Sequence, residues 1–398
     1  MSSQKPSCNG RPSDSHEAST IVFGQPDISA AEIDEVVACL KSGWIGTGPR
    51  VAQFERDFAA YQQAEVAVAV GSCTAAMHLS LATIGLAPGD EVITSALTFC
   101  STVNSIIHAG GQPVLADVDP RTMNIDPADV RDRITARTRA IVPVHFAGRP
   151  CDMDALKTIA DQHDLVLVED CAHAIEARYR GRPVGAFGDF GCFSFYATKN
   201  LTTAEGGMVL VRDPDDGEVI RRNALHGLSV DAWGRFGDQQ YCHAMAVDIG
   251  FKYNMTDLQA SLGIHQLRRV EDNLGRREAI WAYYDHALSE LPVARPADPD
   301  TDTRHARHLY TVLVGEDPGG IARDDFLQGM HARRIGVGVH YLGIAEHPVF
   351  QARYGWRPED WPHAMATGRR TASLPLGSGL SMADAERVVR AVADVLRA

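Results

Sequence analysis

The chain has 398 residues, 51 acidic against 38 basic side chains for a formal charge of -13, and 45% apolar residues. No apolar run approaches the roughly 20 residues of a membrane-spanning helix, and a negative field repels a phosphate backbone, which sets aside membrane spans and duplex binding. Ordinary globular composition at this length leaves room for a large core.

Residues 1–20 are polar and rich in Ser and Pro, without the apolar stretch of a secretory signal, and read as a disordered tail. From Ile21 the chain alternates β-rich runs with helical patterns. Glu65–Val70, Glu91–Thr94, Pro113–Asp117, Ala140–Val144 and Leu165–Val168 are the predicted strands, each followed by a turn and a helix. Such βα repetition predicts an α/β fold with a mostly parallel sheet covered on both faces. Gly191–Phe195 and Gly207–Val211 follow without a long helix between them, as neighbouring strands near the sheet edge do. Ser29, Thr256 and Ser381 each stand three residues ahead of a side-chain acceptor and open capped helices. A long amphipathic stretch runs from Thr256 to Leu288, after which the composition shifts to Pro, Asp and Thr. The domain boundary is expected within 272–304, giving a large domain at 21–275 and a smaller C-terminal α+β domain at 276–398.

The eight cysteines, at 8, 39, 73, 100, 151, 171, 192 and 242, form no Cys-x-x-Cys pair, and several lie in apolar runs. Buried reduced thiols in a cytoplasmic protein fit this pattern better than a disulfide framework, and no metal site is expected.

Ligands of open α/β sheets bind at the carboxyl ends of strands, so the residues just past each run carry the chemistry. After Val70 the turn at Cys73 and Thr74 feeds an apolar helix whose free amides suit a phosphate; taken alone, an ordinary strand-to-helix turn explains it better. Asp170 ends a buried strand, where an unpaired carboxylate is costly, so it calls for a cationic partner or serves as a helix cap. Phe99 follows a strand and suits stacking on a planar ring, although taken alone core packing explains it better. Of only five lysines, Lys199 and Lys252 lie in aromatic, Gly-flanked contexts. A desolvated amine there has a depressed pKa and acts as a nucleophile toward carbonyls.

Together these parts match the needs of a pyridoxal phosphate (PLP) enzyme: an amine, a carboxylate for the ring nitrogen, and phosphate donors. Glu169–Ala174, Ser194–Thr202 with Glu205–Gly207, and Gly250–Asp257 resemble the DegT/DnrJ type of nucleotide-sugar aminotransferase. The likeness runs from Phe23-Gly24 through Lys41–Gly48 to Ser373–Leu376. It implies a fold type I PLP enzyme, acting as a cytoplasmic homodimer with shared active sites. By the same resemblance Lys199 is the Schiff-base lysine, Asp170 pairs with the pyridinium nitrogen, Phe99 stacks on the ring and His173 lies near the phenolic oxygen. Phosphate contacts fall to Cys73, Thr74 and Ser194, with Asn254 reaching in from the partner subunit. Substrate contacts fall to Lys252, Tyr253 and His340. Many relatives carry Asn and Arg where this chain has Lys252 and Asn254, which leaves open which of the two reaches the phosphate. His226–Ala232 and Gly250–Asn254 are similar to the branch that aminates the 4-keto pentose of UDP-arabinose, while dTDP-linked sugars stay open. The implied amino donor is glutamate. Two other readings are a PLP-dependent sugar dehydrase, which has His in place of Lys199, and a non-catalytic sensor, which has no need of Lys199, Asp170 and Ser194 together.

Overall fold

The computed structural model describes residues 19–229, 243–315 and 320–397. The tail up to residue 18, Cys8, Cys242 and the segment from 230 to 232 therefore lie outside the described residues. In chain order the first half runs α1 (Ala30–Ser42), α2 (Pro49–Tyr61), β1 (Val66–Val70), α3 (Cys73–Ile84), β2 (Glu91–Ser95), α4 (Cys100–His108), β3 (Gln112–Ala116), α5 (Pro127–Asp132), β4 (Thr138–Val142), α6 (Met153–Gln162) and β5 (Val166–Asp170). Two short strands, β6 (Arg178–Tyr179) and β7 (Arg182–Pro183), precede β8 (Phe190–Ser194), β9 (Gly207–Val211), α7 (Pro214–Asn223), α8 (Asp257–Arg268) and α9 (Val270–Ala287). The remainder holds β10 (Thr303–Arg304), β11 (Tyr310–Leu313), α10 (Arg323–Ala332), α11 (Pro348–Tyr354), α12 (Pro362–Arg370), β12 (Thr371–Leu374) and α13 (Met382–Leu396).

A seven-stranded sheet has the order β1-β9-β8-β5-β4-β2-β3. Neighbours from β8 to β3 pair in parallel, whereas β9 runs antiparallel to both β1 and β8. The expected adjacency of the Gly191 and Gly207 runs is therefore found, one strand in from the edge. The expected caps at Ser29, Thr256 and Ser381 are complete capping boxes. The stretch from Thr256 to Leu288 is two helices rather than one, broken at Arg269, whose φ of -116° leaves the helical region.

Apolar faces of the sheet bury two layers. On one side Phe54, Phe58, Phe193 and Phe195 form edge-packed rings between α2, α8 and the sheet. Truncating such a fully buried ring costs about 3–5 kcal/mol. On the other side α3 is buried nearly throughout, with Met77, Leu79 and Leu81 against Val92, Val168 and Val209. A separate cluster joins Ile280, Trp281 and Tyr284 of α9 to Tyr310, Phe326, Val388 and Val392. Because Val270 belongs to the first cluster, α9 spans both cores. The six described cysteines are free thiols, five of them buried.

Two long-range clamps set the strand ends. Glu169, fully buried in β5, accepts backbone N–H groups from Gly185, Phe187 and Gly188 at 2.7–2.8 Å and faces His145 Nε2 at 3.1 Å. This arrangement fixes the carboxyl end of β5. Asp257 accepts the amides of Arg50 and Val51, capping α2 where Gly48 offers no side chain.

Candidate functional site

The carboxyl ends of β1, β2, β5 and β8 open into a cavity of about 440 Å³. Cys73, Thr74, Phe99, Asp170, His173, Ser194, Lys199 and His340, eight of the expected site residues, line it. They arrive from the start of α3, the start of α4, the ends of β5 and β8, and the segment after α10.

Lys199 sits on the loop after β8, its amide donating to Tyr196 O at 2.9 Å. Burial pushes its amine from 10.5 down to about 8, against the pull of Cys73 and Asp170. The neutral form, the one able to act as a nucleophile or a base, is therefore reached at lower pH than for an exposed lysine. Asp170 closes β5 with 4% of its surface exposed. Burial raises its carboxyl pKa; the Ala172 amide at 3.1 Å, the Thr102 hydroxyl at 3.0 Å and the field of Lys199 oppose that rise. The Ala172 contact is the expected cap of the following turn.

At the start of α3, Ser72 Oγ caps the Ala75 amide at 3.1 Å, and Cys73 and Thr74 of the same first turn line the cavity. The strand β9 passes so closely beneath that a Cβ on Gly207 would stand 2.6 Å from Cys73 N. Cys73 turns its thiol inward, 3.4 Å from Cys192 O and 3.9 Å from Asp170 Oδ1, and burial keeps it protonated. Phe99 holds the N-cap position of α4 with 55% of its surface exposed and its ring 5.8 Å from that of Tyr341. Such exposure shows that it is no core residue. Ser194 ends β8 at the cavity wall. His340 Nδ1 meets Ser373 Oγ at 2.9 Å, and burial pushes the ring down to about 4, so it is neutral.

Lys252, Tyr253 and Asn254 stand outside the wall of their own chain's cavity. Tyr253 O accepts from the Gly71 amide at 2.6 Å, which pins the segment behind the α3 turn. The Tyr253 ring stacks on Phe251 at 5.1 Å and its hydroxyl meets His78 Nδ1 at 3.1 Å. Lys252 is exposed, and its Nζ donates to Asn254 Oδ1 at 2.6 Å, while Asn254 Nδ2 donates to Thr47 Oγ1 at 2.7 Å.

The sequence reading missed Thr102 and Tyr341. Thr102 lies one helical turn past Phe99 and reaches Asp170 across 68 residues, a contact with no local signature. Tyr341 follows His340 directly, and nothing but tertiary structure sets it against His173 Nε2 at 2.9 Å.

The model of the DegT/DnrJ/EryC1/StrS aminotransferase family matches residues 26–393. The chain belongs to this aminotransferase family. The aminotransferase is 45% identical over 376 residues to the spore coat polysaccharide biosynthesis protein SpsC of Bacillus subtilis, covering 94% of this chain and 97% of that one. Among solved structures it is similar to Spr1654 from Streptococcus pneumoniae, seen in PMP and PLP forms, at 32% identity and a TM-score of 0.87, over 95% of this chain and 98–99% of those. It also resembles the sugar aminotransferase CalS13 from Micromonospora echinospora, with 28% identity, a TM-score of 0.83, and 94% and 99% coverage. The expected fold type I architecture is therefore present. A buried amine, a strand-end carboxylate, a helix N-terminus and an exposed aromatic fit PLP, the cofactor of this aminotransferase.

Proposed function

We propose that the protein transfers an amino group from an amino acid, glutamate by preference, to a nucleotide-linked keto sugar. The carrying observation is the Lys199 amine, held near pKa 8 in the same cavity as Asp170 and the α3 amides. When bound, PLP supplies an electron sink that lets an α-carbon give up its proton and its amino nitrogen.

The chain's own residues do the rest. Asp170 keeps a proton on the ring nitrogen by offering its negative oxygens to it. The amides of Cys73 and Thr74, with Ser194, hold the phosphate, and Phe99 covers one ring face. Lys199 Nζ takes the proton from the α-carbon of the amino donor; in the second half it delivers a proton to the carbon that carried the sugar's keto oxygen. The amino acid leaves as its keto acid and the sugar gains its amine.

Motif similarity at His226–Ala232 and Gly250–Asn254 favours a 4-keto sugar, with UDP-linked pentoses and dTDP-linked sugars as the first substrates to try. The same reading divides the chain into a large cofactor-binding domain, 21–275, and a small domain, 276–398, with α9 spanning the division. It also makes the active unit a homodimer. The stripe of Ile33, Val37 and Leu40 on α1, continued by Ile45, leaves 39–55% of each side chain exposed, which supports a second copy as its cover. Among the described residues no helix is long and apolar enough to cross a membrane.

The test loads the purified protein with PLP, adds glutamate, removes it, and offers a panel of UDP- and dTDP-linked keto sugars read by mass spectrometry. An amino sugar formed from one member is the expected result. Glutamate that leaves the visible absorption unchanged rejects glutamate as donor, and a panel with no aminated product rejects the sugar assignment.

A further inference from the structure

His173 and Tyr341 are joined in a way that assigns their protons. His173 Nδ1 accepts the Ala147 backbone N–H at 3.2 Å. Ala147 and Gly148 both hold positive φ, 57° and 96°, to aim this turn, and a Cβ on Gly148 would stand 2.8 Å from His173 O. An amide can donate only to a bare ring nitrogen, so the neutral imidazole carries its hydrogen on Nε2. Nε2 in turn lies 2.9 Å from Tyr341 Oη. The imidazole N–H therefore donates to the phenol oxygen, and the phenol's own hydrogen is directed elsewhere.

Burial, with help from neighbouring groups, keeps both neutral. Burial holds His173 well below its ordinary range, helped by Lys199, His308 and His340. Burial pushes Tyr341 up, helped by Asp170, Cys100 and Cys73. Tyr341 lines the cavity together with Lys199, Asp170 and Phe99, and no second partner of its hydroxyl occurs among the described residues. The result is a one-way relay, from the Ala147 amide through His173 to a phenol whose free donor serves the cavity.

The bound cofactor has one polar atom left for such a donor. Its ring nitrogen, aldehyde carbon and phosphate are taken by Asp170, Lys199 and the α3 turn, which leaves the phenolic oxygen beside the aldehyde carbon. We infer that Tyr341, not His173, donates to this phenolic oxygen, with His173 acting through the tyrosine as a positioning residue. This revises the direct contact that the family resemblance implies for His173, and it rests on the cofactor reading above.

The experiment compares wild type, Tyr341→Phe and His173→Phe, each loaded with PLP, and follows the visible absorption against pH. A donor at the phenolic oxygen stabilises its deprotonated, negative form. Its loss in Tyr341→Phe is expected to raise the titration midpoint by about one pH unit, the scale of one hydrogen bond to a charged acceptor. An unchanged midpoint in Tyr341→Phe overturns the inference, and a shift confined to His173→Phe assigns the contact to the histidine directly. A wild type with no visible band at all would instead reject the cofactor reading. Independently, ¹⁵N spectra of histidine-labelled, cofactor-free protein are expected to show His173 protonated at Nε2, with that resonance moving in Tyr341→Phe. A proton on Nδ1 would overturn the relay without reference to activity.

Discussion

Thr102 donates its hydroxyl hydrogen to Asp170 Oδ2 across 3.0 Å, and Thr98, 2.9 Å behind it, completes the chain by donating to Thr102. The carboxylate is thereby stabilised in its charged form against a burial that favours the neutral one. Thr102→Val keeps the shape and removes the donor. Its expected effect is a roughly tenfold loss of turnover at neutral pH. The carboxyl pKa rises further in the variant, so the acid limb of the rate profile moves to higher pH. Thr102→Ser restores both. An acid limb that coincides with wild type would show that the hydroxyl does not tune Asp170.

Asp170→Asn tests the carboxylate itself. A neutral amide cannot balance a positive ring nitrogen, so the variant is expected to bind PLP and to lose turnover by on the order of 10²-fold or more. Steady-state rates close to wild type would remove Asp170 from its role.

Lys199 makes a prediction about stability as well as activity. Above pH 10.5 its amine is neutral in folded and unfolded chains alike. As the pH falls toward 8 only the unfolded chain takes up the proton, so stability of the cofactor-free protein declines; below about 8 the penalty is constant. Its size is about 3 kcal/mol for a depression of this extent. Lys199→Met is therefore expected to be inactive yet more stable than wild type at pH 7, the gap closing near pH 10.5. Urea titrations at the two pH values measure it. A variant less stable at pH 7 would mean that the amine is not desolvated as described.

A shared site is tested by mixing inactive protomers. Lys199→Ala and Asn254→Ala subunits, exchanged and co-assembled, are expected to regain activity, because one composite pocket then carries neither lesion. Parallel mixing with Lys252→Ala asks which of the two reaches the neighbour. Asn254 already spends its amide on Thr47 and its carbonyl on Lys252, whereas Lys252 is exposed. If verified exchange restores nothing in either mixture, both residues act within their own chain.

What the sequence disclosed here follows the range of the interactions. Caps at Ser29, Thr256 and Ser381 are local, three residues across, and were legible. Lys199 stood out because lysine is scarce, and Asp170 because a carboxylate ends an apolar strand. The break between α8 and α9 was hidden because no Gly or Pro between Ile264 and Leu274 announces it. Thr102 and Tyr341 stayed hidden for a different reason: their partners lie 68 and 168 residues away. Hydroxyls at such separations carry no pattern that periodicity or capping rules can detect.

The antiparallel strand β9 also orders events during synthesis. β1 is an edge strand whose sole ladder neighbour in the sheet is β9, and Val70 pairs with Gly207. A ribosome must therefore add well over a hundred residues before β1 has a backbone to bond with. Until then a run of Val and Ala, five residues long, is an open template for other chains. Nascent chains that stop short of residue 207 leave that template uncovered.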